Sequence, residues 1–489
     1  MASPAYDLVI RNGRLATASD DFVADIGIRN GVISALADRL DAGREEIDAT
    51  GKLVLPGGVD SHCHIEQLSA GGLLNADTFE SATVSAAVGG TTTVIPFAAQ
   101  HRGNRLRTVV EDYARLAAQG AVVDYTFHLI VTETDDVTLQ TDLPALAGEG
   151  HGSIKVFMTY DLLKVDDSAL LDVLASARET GSLVCVHAEN HGMIAWMSQR
   201  LVDDGKTAPK FHAVSHPRAA EVEAIHRLIL ASELLDQPVM VFHVSTAEGA
   251  DLIRSARQRG VKVYGETCPQ YLFLTADDLD KPGLEGAKWM CSPPPRTRRD
   301  QEALWQALGD GALQVISSDH APYRFDETGK LSAGASPTFK EIANGLPGLQ
   351  WRMPLLFDAM ISRGPLGLQK FVELTATAPA KIYNLHPKKG TLAIGSDADL
   401  VIWDPEREMM LSDSLVQDRT GYTPYVGRTV RGWPIATIRR GDVIVRDGQC
   451  MATPGSGVFL PRTGGAAAAP SGRKTSDAEL AARFGAAGV

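Results

Sequence analysis

The first 56 residues alternate apolar and polar positions in short runs that end in turn signals. The runs are DLVIRNGRL, ADIGIRNGVISAL and GKLVLPGG, and the Asn-Gly dipeptides at 12–13 and 30–31 are typical of tight hairpins. The same pattern returns late in the chain, in KGTLAIGSDADLVIWDP and RTVRGWPIATIRRGDVIVRDGQ. We therefore predict a small β-sandwich domain that residues 1–56 and 389–460 form together, with a larger domain inserted between them.

The middle of the chain, residues 57–388, alternates apolar strand-like runs with amphipathic helical ones such as DDSALLDVLASARETG. The strand candidates are GGVDSHCH, TTTVIPF, DYTFHLIV, SIKVFM, SLVCVHAE, PVMVFHVS, VKVYGETC and LQVISSDH. Eight parallel strands with intervening helices predict an α/β fold, a closed (β/α)8 TIM-type barrel. The alternative is an open doubly wound sheet. That fold more often carries a glycine-rich nucleotide loop after an early strand, and the sequence shows none.

Composition and charge narrow the class of protein. The formal net charge of −13, without a basic stripe, argues against nucleic-acid binding. We expect no membrane helix and no secretory signal, because neither apolar pattern occurs, and hence a cytoplasmic protein. Five scattered cysteines indicate neither a disulfide framework nor a zinc ribbon. The Ala/Gly-rich residues 461–489 are predicted to form a mobile or partner-docked tail.

Metal-type and basic side chains interrupt the apolar strands near their C-terminal ends, the face on which barrel active sites lie. His62 and His64 end the first strand, and residues i and i+2 of a strand point to the same side, so both imidazoles can reach one ion. Later strands add Lys155, His187, His243 and Asp319. Taken alone, His187 or His243 is better explained as a hydrogen-bonded core residue. Taken together, they predict a metal centre.

Lys155 needs a separate argument, because an ammonium group is not a metal ligand. Its ordinary pKa of about 10.4 keeps a lysine protonated at neutral pH, and it would then simply pair with a carboxylate in the barrel. Burial beside two cations would instead favour the neutral amine, which can take up carbon dioxide and become a carbamate able to bridge two metals. The spacing alone leaves both roles open.

The motifs GGVDSHCH, SIKVFMTY, VHAEN, FHVST, YGETCPQYL, CSPPPR, SSDHAP and IANGLPG resemble the dihydropyrimidinase/hydantoinase branch of the amidohydrolase superfamily. The resemblance covers nearly the whole chain, including its two β-rich ends. It implies hydrolysis of the amide bond of a small cyclic amide, a dihydropyrimidine or a 5-substituted hydantoin, to an N-carbamoyl amino acid by a bridging hydroxide. It also implies a homotetramer.

The resemblance further implies two divalent metal ions per chain, zinc in the first place, with manganese or cobalt as alternatives. Their implied ligands are His62, His64 and Asp319 for one ion, His187 and His243 for the other, and a carboxylated Lys155 that bridges both. Asp319 would also act as the general base. Tyr160 would donate to the developing oxyanion, and backbone groups at Ser292 and Asn344 would hold the ring amide.

Several alternatives remain at the level of the sequence. A cyclic-imide hydrolase or an allantoinase would use the same site, whereas a dihydroorotate hydrolase would need an arginine clamp that is not evident. A non-catalytic scaffold of the family would have lost metal ligands, and a one-metal deaminase would not need a bridging lysine. Asp161 follows Tyr160 where many hydantoinases have lysine, which leaves the preferred ring substituent open. His212 and His216 are expected at the surface or beside the site, and Glu189 as an orienting group or an ordinary ion pair.

Overall fold

Two nine-stranded sheets organise the protein, whose computed structural model describes residues 4–69, 72–473 and 476–484. The N-terminal strands are β1 (Tyr6–Ala16), β2 (Asp21–Arg29), β3 (Val32–Ala37), β4 (Gly43–Asp48) and β5 (Leu53–Pro56). The central strands are β6 (Gly58–Cys63), β7 (Thr91–Ala99), β8 (Asp124–Tyr125), β9 (His128–Ile130), β10 (Ser153–Phe157), β11 (Leu183–His187), β12 (Val239–Val241), β13 (Val263–Thr267) and β14 (Val315–Ile316). The C-terminal strands are β15 (Leu400–Met410), β16 (Thr429–Arg439), β17 (Asp442–Arg446) and β18 (Gln449–Cys450).

Helices fill most of the connections between the central strands. The α-helices are α1 (Phe79–Val88), α2 (Leu106–Gly120), α3 (Leu143–Gly148), α4 (Asp167–Thr180), α5 (His191–Asp203), α6 (Phe211–Ser215), α7 (Arg218–Leu235), α8 (Ala247–Gln258), α9 (Pro269–Phe273), α10 (Arg298–Gly309), α11 (Arg352–Phe357), α12 (Gly367–Val372), α13 (Ala378–Ile382), α14 (Gly465–Ala468) and α15 (Ser476–Arg483). Single π-helical turns span Val137–Asp142, Asp358–Ser362 and Glu373–Thr377, and 3-10 turns span Ala276–Leu279, Glu285–Trp289 and Asp413–Leu415. Within the described residues, no helix is both long and apolar enough to cross a membrane.

The central strands form the predicted barrel. They pair in parallel in the order β6-β7-β9-β10-β11-β12-β13-β14, and β8 adds to β7. A parallel bridge from Cys63 to His320 joins the first strand to the residues after the last one, so the barrel is nearly closed. Strands β10 and β11 are buried at every position, as expected for parallel strands covered on both faces. The eight predicted strand runs are confirmed, the third of them divided into β8 and β9.

Both ends of the chain share the second sheet, as predicted. Its order is β18-β17-β16-β15-β5-β1-β2-β3, and β4 pairs with β1. The antiparallel pairing of β15 with β5, in which Leu400 faces Pro56, joins the two ends. Ile26, Leu400 and Ile438 share one buried cluster of this mixed sheet. We keep the division of the chain at residues 57 and 389 as a proposal.

The two Asn-Gly dipeptides have different structures. Asn30 and Gly31 form the β2–β3 hairpin turn, both with positive φ, as a two-residue turn of this kind requires. Asn12 also has a positive φ of 56°, yet it lies inside β1, where the pairing with β2 gains one extra residue between Ile10 and Gly13. The prediction of a hairpin at 12–13 is therefore wrong. An Asn in the left-handed conformation occurs in β-bulges as well as in turns.

The beginning of the predicted tail packs against the barrel of its own chain. Ala467 and Ala468 join the buried cluster that contains Cys185 of β11. The Arg462 guanidinium donates from Nη2 to the Phe127 carbonyl at 3.2 Å and to Ser153 Oγ at 2.6 Å. Residues 462–468 thus contribute to the packing of the barrel near the start of β10.

Candidate metal centre and active site

A cavity of about 310 Å³ lies at the C-terminal ends of the barrel strands. Every site residue named from the sequence lines it: His62, His64, Lys155, Tyr160, His187, His243, Ser292, Asp319 and Asn344. These residues come from seven separate regions of the chain. The barrel brings them together because parallel strands deliver their C-terminal ends to one face.

One side of the cavity carries a set of ligand atoms suited to a metal ion. His62 Nε2 lies 3.1 Å and His64 Nε2 lies 3.4 Å from Asp319 Oδ1, and the ligand atoms of the three residues fall within 4.8 Å of one another. The second ring nitrogens have partners of their own. His62 Nδ1 donates to Glu266 Oε1 at 2.7 Å, and His64 Nδ1 donates to Gln67 Oε1 at 2.8 Å. Such contacts hold Nε2 of each ring towards the cavity, as in many metal sites.

His187 and His243 lie next to this set, with ring centroids 4.4 Å apart. The His243 ring is 5.4 Å from that of His62. His187 Nε2 donates to Glu189 Oε2 at 2.7 Å, and the buried His243 Nδ1 has no hydrogen-bond partner among the described residues. Burial holds the pKa of both rings well below the ordinary value, so both are neutral, the form that binds a metal. An unpaired buried nitrogen in this place suits a metal ligand.

Lys155 stands on β10 between the two histidine sets. Its Nζ is buried and finds no hydrogen-bond partner in the described part of the chain. The amine lies 4.2 Å from the ring centroid of Phe242 and 4.7 Å from that of Phe157. Burial lowers the pKa of Lys155 to about 7. The side chain is therefore neither a surface lysine nor half of an ordinary ion pair, which was the alternative role.

Two further groups have the electrostatics of proton-handling residues. Burial raises the pKa of the Tyr160 phenol far above neutrality, so it remains protonated and can donate. Burial alone would raise the pKa of Asp319, but the contacts with His62 and His64 hold it well below the usual range, so it is an anion that can accept. The Tyr160 ring lies 5.1 Å from His187, which places the phenol beside the second histidine set.

Ser292 and Asn344 line the cavity from segments outside the barrel strands. The Ser292 hydroxyl is 3.2 Å from His212 Nε2 and 3.5 Å from His216 Nε2. His212 and His216 are both buried, so of the two predicted locations they occupy the one beside the site. The buried Asn344 Oδ1 has no partner among the described residues.

Sequence reasoning missed several residues that hold the site in place. Glu266 accepts the hydrogen bond from His62 and lies in the predicted strand VKVYGETC. A carboxylate within a mostly apolar barrel strand could have identified it. Gln67, beside His64, gave no such signal, because it lies in an irregular segment. Glu189, left open as an orienting group or an ion pair, contacts the ring of His187.

A second group of acidic residues has a different explanation. Asp124, Asp397 and Asp399 are buried and close enough together to suggest an ion. The Lys389 ammonium, however, lies between them, at 2.6, 3.0 and 2.8 Å. This cluster joins β8 of the barrel to the sheet formed by the chain ends, and we assign it a structural role.

Comparison with known proteins gives a consistent result. The model of the Amidohydrolase family matches residues 53–444. A D-hydantoinase from Rhizobium radiobacter is 42% identical over 457 residues, which cover 93% of this chain and 99% of that protein. A D-hydantoinase from Geobacillus stearothermophilus is 41% identical over 456 residues, 93% of this chain and 96% of that protein. The crystal structure of dihydropyrimidinase from Brevibacillus agri NCHU1002 matches with a TM-score of 0.90 at 39% identity, covering 93% of this chain and 98% of that one.

Proposed function

The chain belongs to the amidohydrolase family, and on that premise we propose that its barrel cavity holds two divalent metal ions that serve the opening of a cyclic amide. It is an enzyme of the hydantoinase/dihydropyrimidinase type, a hydrolase of carbon–nitrogen bonds in small cyclic amides. One observation carries the proposal for the site: the six predicted ligands, Tyr160 and the two substrate-facing residues all line the same cavity.

In this proposal His62, His64 and Asp319 bind one ion, and His187 and His243 bind the other. Lys155, carboxylated on Nζ, would help to hold both ions, and the carbamate would replace a buried unpaired amine by an anion. Two divalent ions supply what amide hydrolysis needs, a water with a pKa near 7 and a polarised carbonyl. Zinc is our first choice of metal, and manganese and cobalt suit the same ligands. The neutral rings of His187 and His243 and the ionised Asp319 support this ligand set.

The protein side chains then handle the proton and the developing charge. The Asp319 carboxylate accepts a proton from the attacking water and delivers it to the leaving ring nitrogen. The Tyr160 hydroxyl donates to the carbonyl oxygen as it becomes negative, an interaction that strengthens only towards the transition state. Its raised pKa supports this role, because the phenol keeps its proton at neutral pH.

Backbone groups at Ser292 and Asn344 are proposed to hold the ring amide. A ring fixes its amide in the cis geometry, which an ordinary peptide rarely adopts, so a site built for that geometry selects cyclic substrates. The product is an N-carbamoyl amino acid when the ring is a dihydropyrimidine or a hydantoin. A cyclic imide or allantoin presents the same ring amide, and these substrates remain to be compared.

A substrate panel with metal analysis tests the proposal. Dihydrouracil, 5-substituted hydantoins, allantoin, succinimide and glutarimide are incubated with metal-loaded enzyme, and release of the open-chain acid is measured. We expect about two transition-metal ions per chain and turnover of a hydantoin or dihydrouracil, lost on chelation and regained on metal addition. Full activity in a preparation without bound metal would refute the mechanism.

We also propose that the chain assembles as a homotetramer. This proposal rests on the resemblance of the chain to the hydantoinase group, which implies a tetramer. Light scattering coupled to size-exclusion chromatography gives the mass of the assembly directly.

A further inference from the structure

Lys330 is a buried lysine in a loop that lines the cavity. Residues 321–345, all of which the structure describes, contain neither helix nor strand, and many of them line the cavity. Long irregular loops of this kind usually carry function. Neighbouring Glu327 and Thr328 are exposed, whereas the Lys330 side chain is fully buried. The chain folds back at this point, since Lys330 N donates to the Arg324 carbonyl at 2.8 Å.

The Lys330 ammonium is bound by backbone carbonyls. Nζ donates to the Ala343 carbonyl at 2.8 Å and lies 3.5 Å from the Met290 carbonyl. Among residues 4–69, 72–473 and 476–484, no carboxylate forms an ion pair with it. Burial of a cation without a counterion is unfavourable. Burial accordingly lowers the pKa of Lys330 to about 7. A leucine or methionine would fill the same space without that penalty, but it would leave the Ala343 carbonyl without this donor.

The two carbonyls that Lys330 contacts flank the proposed substrate-binding positions. Ala343 directly precedes Asn344, and Met290 lies two residues before Ser292. We call the segments 290–292 and 343–345 together the amide cradle. Gly345 N donates to the Met290 carbonyl at 2.9 Å, which ties the two segments together. His212 Nε2 donates to the Cys291 carbonyl at 2.8 Å from the other side. Lys330 is thus a side-chain donor that faces both segments of the cradle at once.

We propose that Lys330 is a positioning residue that fixes the spacing of the two cradle segments and thereby the backbone groups that hold the ring amide. The inference rests on the proposed function, because it takes the roles of Ser292 and Asn344 from there. Lys330 itself touches no substrate and no reacting atom. Its effect acts through the Ala343 and Met290 carbonyls, so it bears on substrate binding and leaves the metal ligands untouched.

Replacement of Lys330 by methionine tests the inference. We expect Lys330→Met to keep the wild-type metal content and to raise KM, and the inhibition constant of the open-chain product, about tenfold, as for the loss of one good hydrogen-bonding contact. The value of kcat should change much less, since Tyr160 and Asp319 lie outside the cradle. Lys330→Gln keeps an N–H donor on a shorter side chain, and we expect intermediate values for it.

The chain offers a matched control in Lys262. Its Nζ also donates to two backbone carbonyls, those of Ala469 at 2.7 Å and Ala466 at 3.5 Å, but at the C-terminal tail, far from the cavity. Lys262→Met should leave KM and the product inhibition constant unchanged, even if it lowers the melting temperature.

Two outcomes would be decisive. Wild-type KM and product inhibition in a metal-loaded Lys330→Met enzyme would overturn the inference and leave Lys330 a stability role only. If the methionine variant does not fold, Lys330→Leu is judged by the same criterion. A wild-type enzyme that opens none of the cyclic amides would instead refute the proposed function, and that result is obtained before any variant is compared.

Discussion

Lys155 offers the most demanding test of the proposed centre, because its modification depends on its charge. Only a neutral amine reacts with carbon dioxide. With the pKa lowered to about 7 by burial, roughly half of the Lys155 side chains are neutral at pH 7, against roughly one in 3,000 for a lysine at the ordinary value of 10.5. Keeping the buried side chain charged at this position costs about 5 kcal/mol relative to water. In the proposed centre, we therefore expect burial to favour the carboxylation of Lys155.

We expect Lys155→Ala to lose both metal and activity, and Lys155→Arg to recover neither, because a guanidinium brings a permanent cation to the place of the bridge. Short carboxylic acids such as acetate should restore part of the metal content and turnover of the alanine variant by occupying the vacated space. Metal is measured by elemental analysis and turnover by release of the open-chain acid.

The modification of Lys155 is also measured directly in the wild-type enzyme. Native mass spectrometry and electron density should show one added carbon dioxide on Lys155, and reconstitution of the metal-free protein should require bicarbonate. An active enzyme with two occupied metals beside an unmodified Lys155 ammonium would refute the reasoning, as would a Lys155→Arg enzyme with full activity.

Three further predictions concern the phenol, the support of a ligand and the contact between the two sheets. Tyr160→Phe should keep its metal and lose about 10²–10³ in kcat, as for the removal of one oxyanion donor, and wild-type turnover would exclude Tyr160 from the mechanism. Glu266→Gln removes the charge that accepts the 2.7 Å hydrogen bond from His62 Nδ1, and metal affinity measured against a competing chelator should fall about 10–100-fold; unchanged affinity would contradict that role. Lys389→Met leaves three buried carboxylates without their partner and should lower the free energy of unfolding by about 3–5 kcal/mol in a denaturant titration, with little change in KM. The three carboxylates raise the pKa of Lys389 in the folded protein above its ordinary value near 10.5. The contribution of Lys389 to the free energy of unfolding should therefore be complete below pH 10.5 and be lost as the pH rises through the raised pKa. Lys389→Met should not show this loss.

The barrel could be predicted from the sequence because buried parallel strands appear as short, mostly apolar runs. SLVCVHAE and PVMVFHVS are such runs, and they contain β11 and β12. The division of the third strand into β8 and β9 could not be predicted from the sequence. It depends on how each piece pairs with β7, which is distant in sequence. The bulge at Asn12 was read as a turn for a related reason. Its left-handed backbone is a local property, whereas the partner strand decides whether the chain reverses there.

The candidate ligands could be predicted for the same reason, as polar residues at the ends of apolar strands. The residues that hold them could not. The contact of Glu266 with His62 spans 204 positions of the chain, and that of Lys330 with Met290 joins a loop turn to the residues before Ser292. No local pattern distinguishes Lys330 from the exposed charged residues around it. Only the folded loop buries that lysine against backbone carbonyls.

The backbone itself completes the site in a way that side-chain patterns do not reveal. Tyr160, His243 and Asp319 have φ angles of 71°, 41° and 46°, in the left-handed region that residues with a Cβ rarely adopt. Each follows the end of a barrel strand: β10, β12 and β14 respectively. Such conformations cost about 1–3 kcal/mol each and persist only where the surrounding structure enforces them. A strand that simply continued would alternate its side chains between the interior and the outer helices, whereas a left-handed residue just beyond the strand end departs from that alternation, and the side chains of Tyr160, His243 and Asp319 all line the cavity. These three residues are a proposed oxyanion donor, a proposed metal ligand and the proposed general base, so within the site the left-handed backbone lies where the proposed chemistry needs side chains aimed at one point.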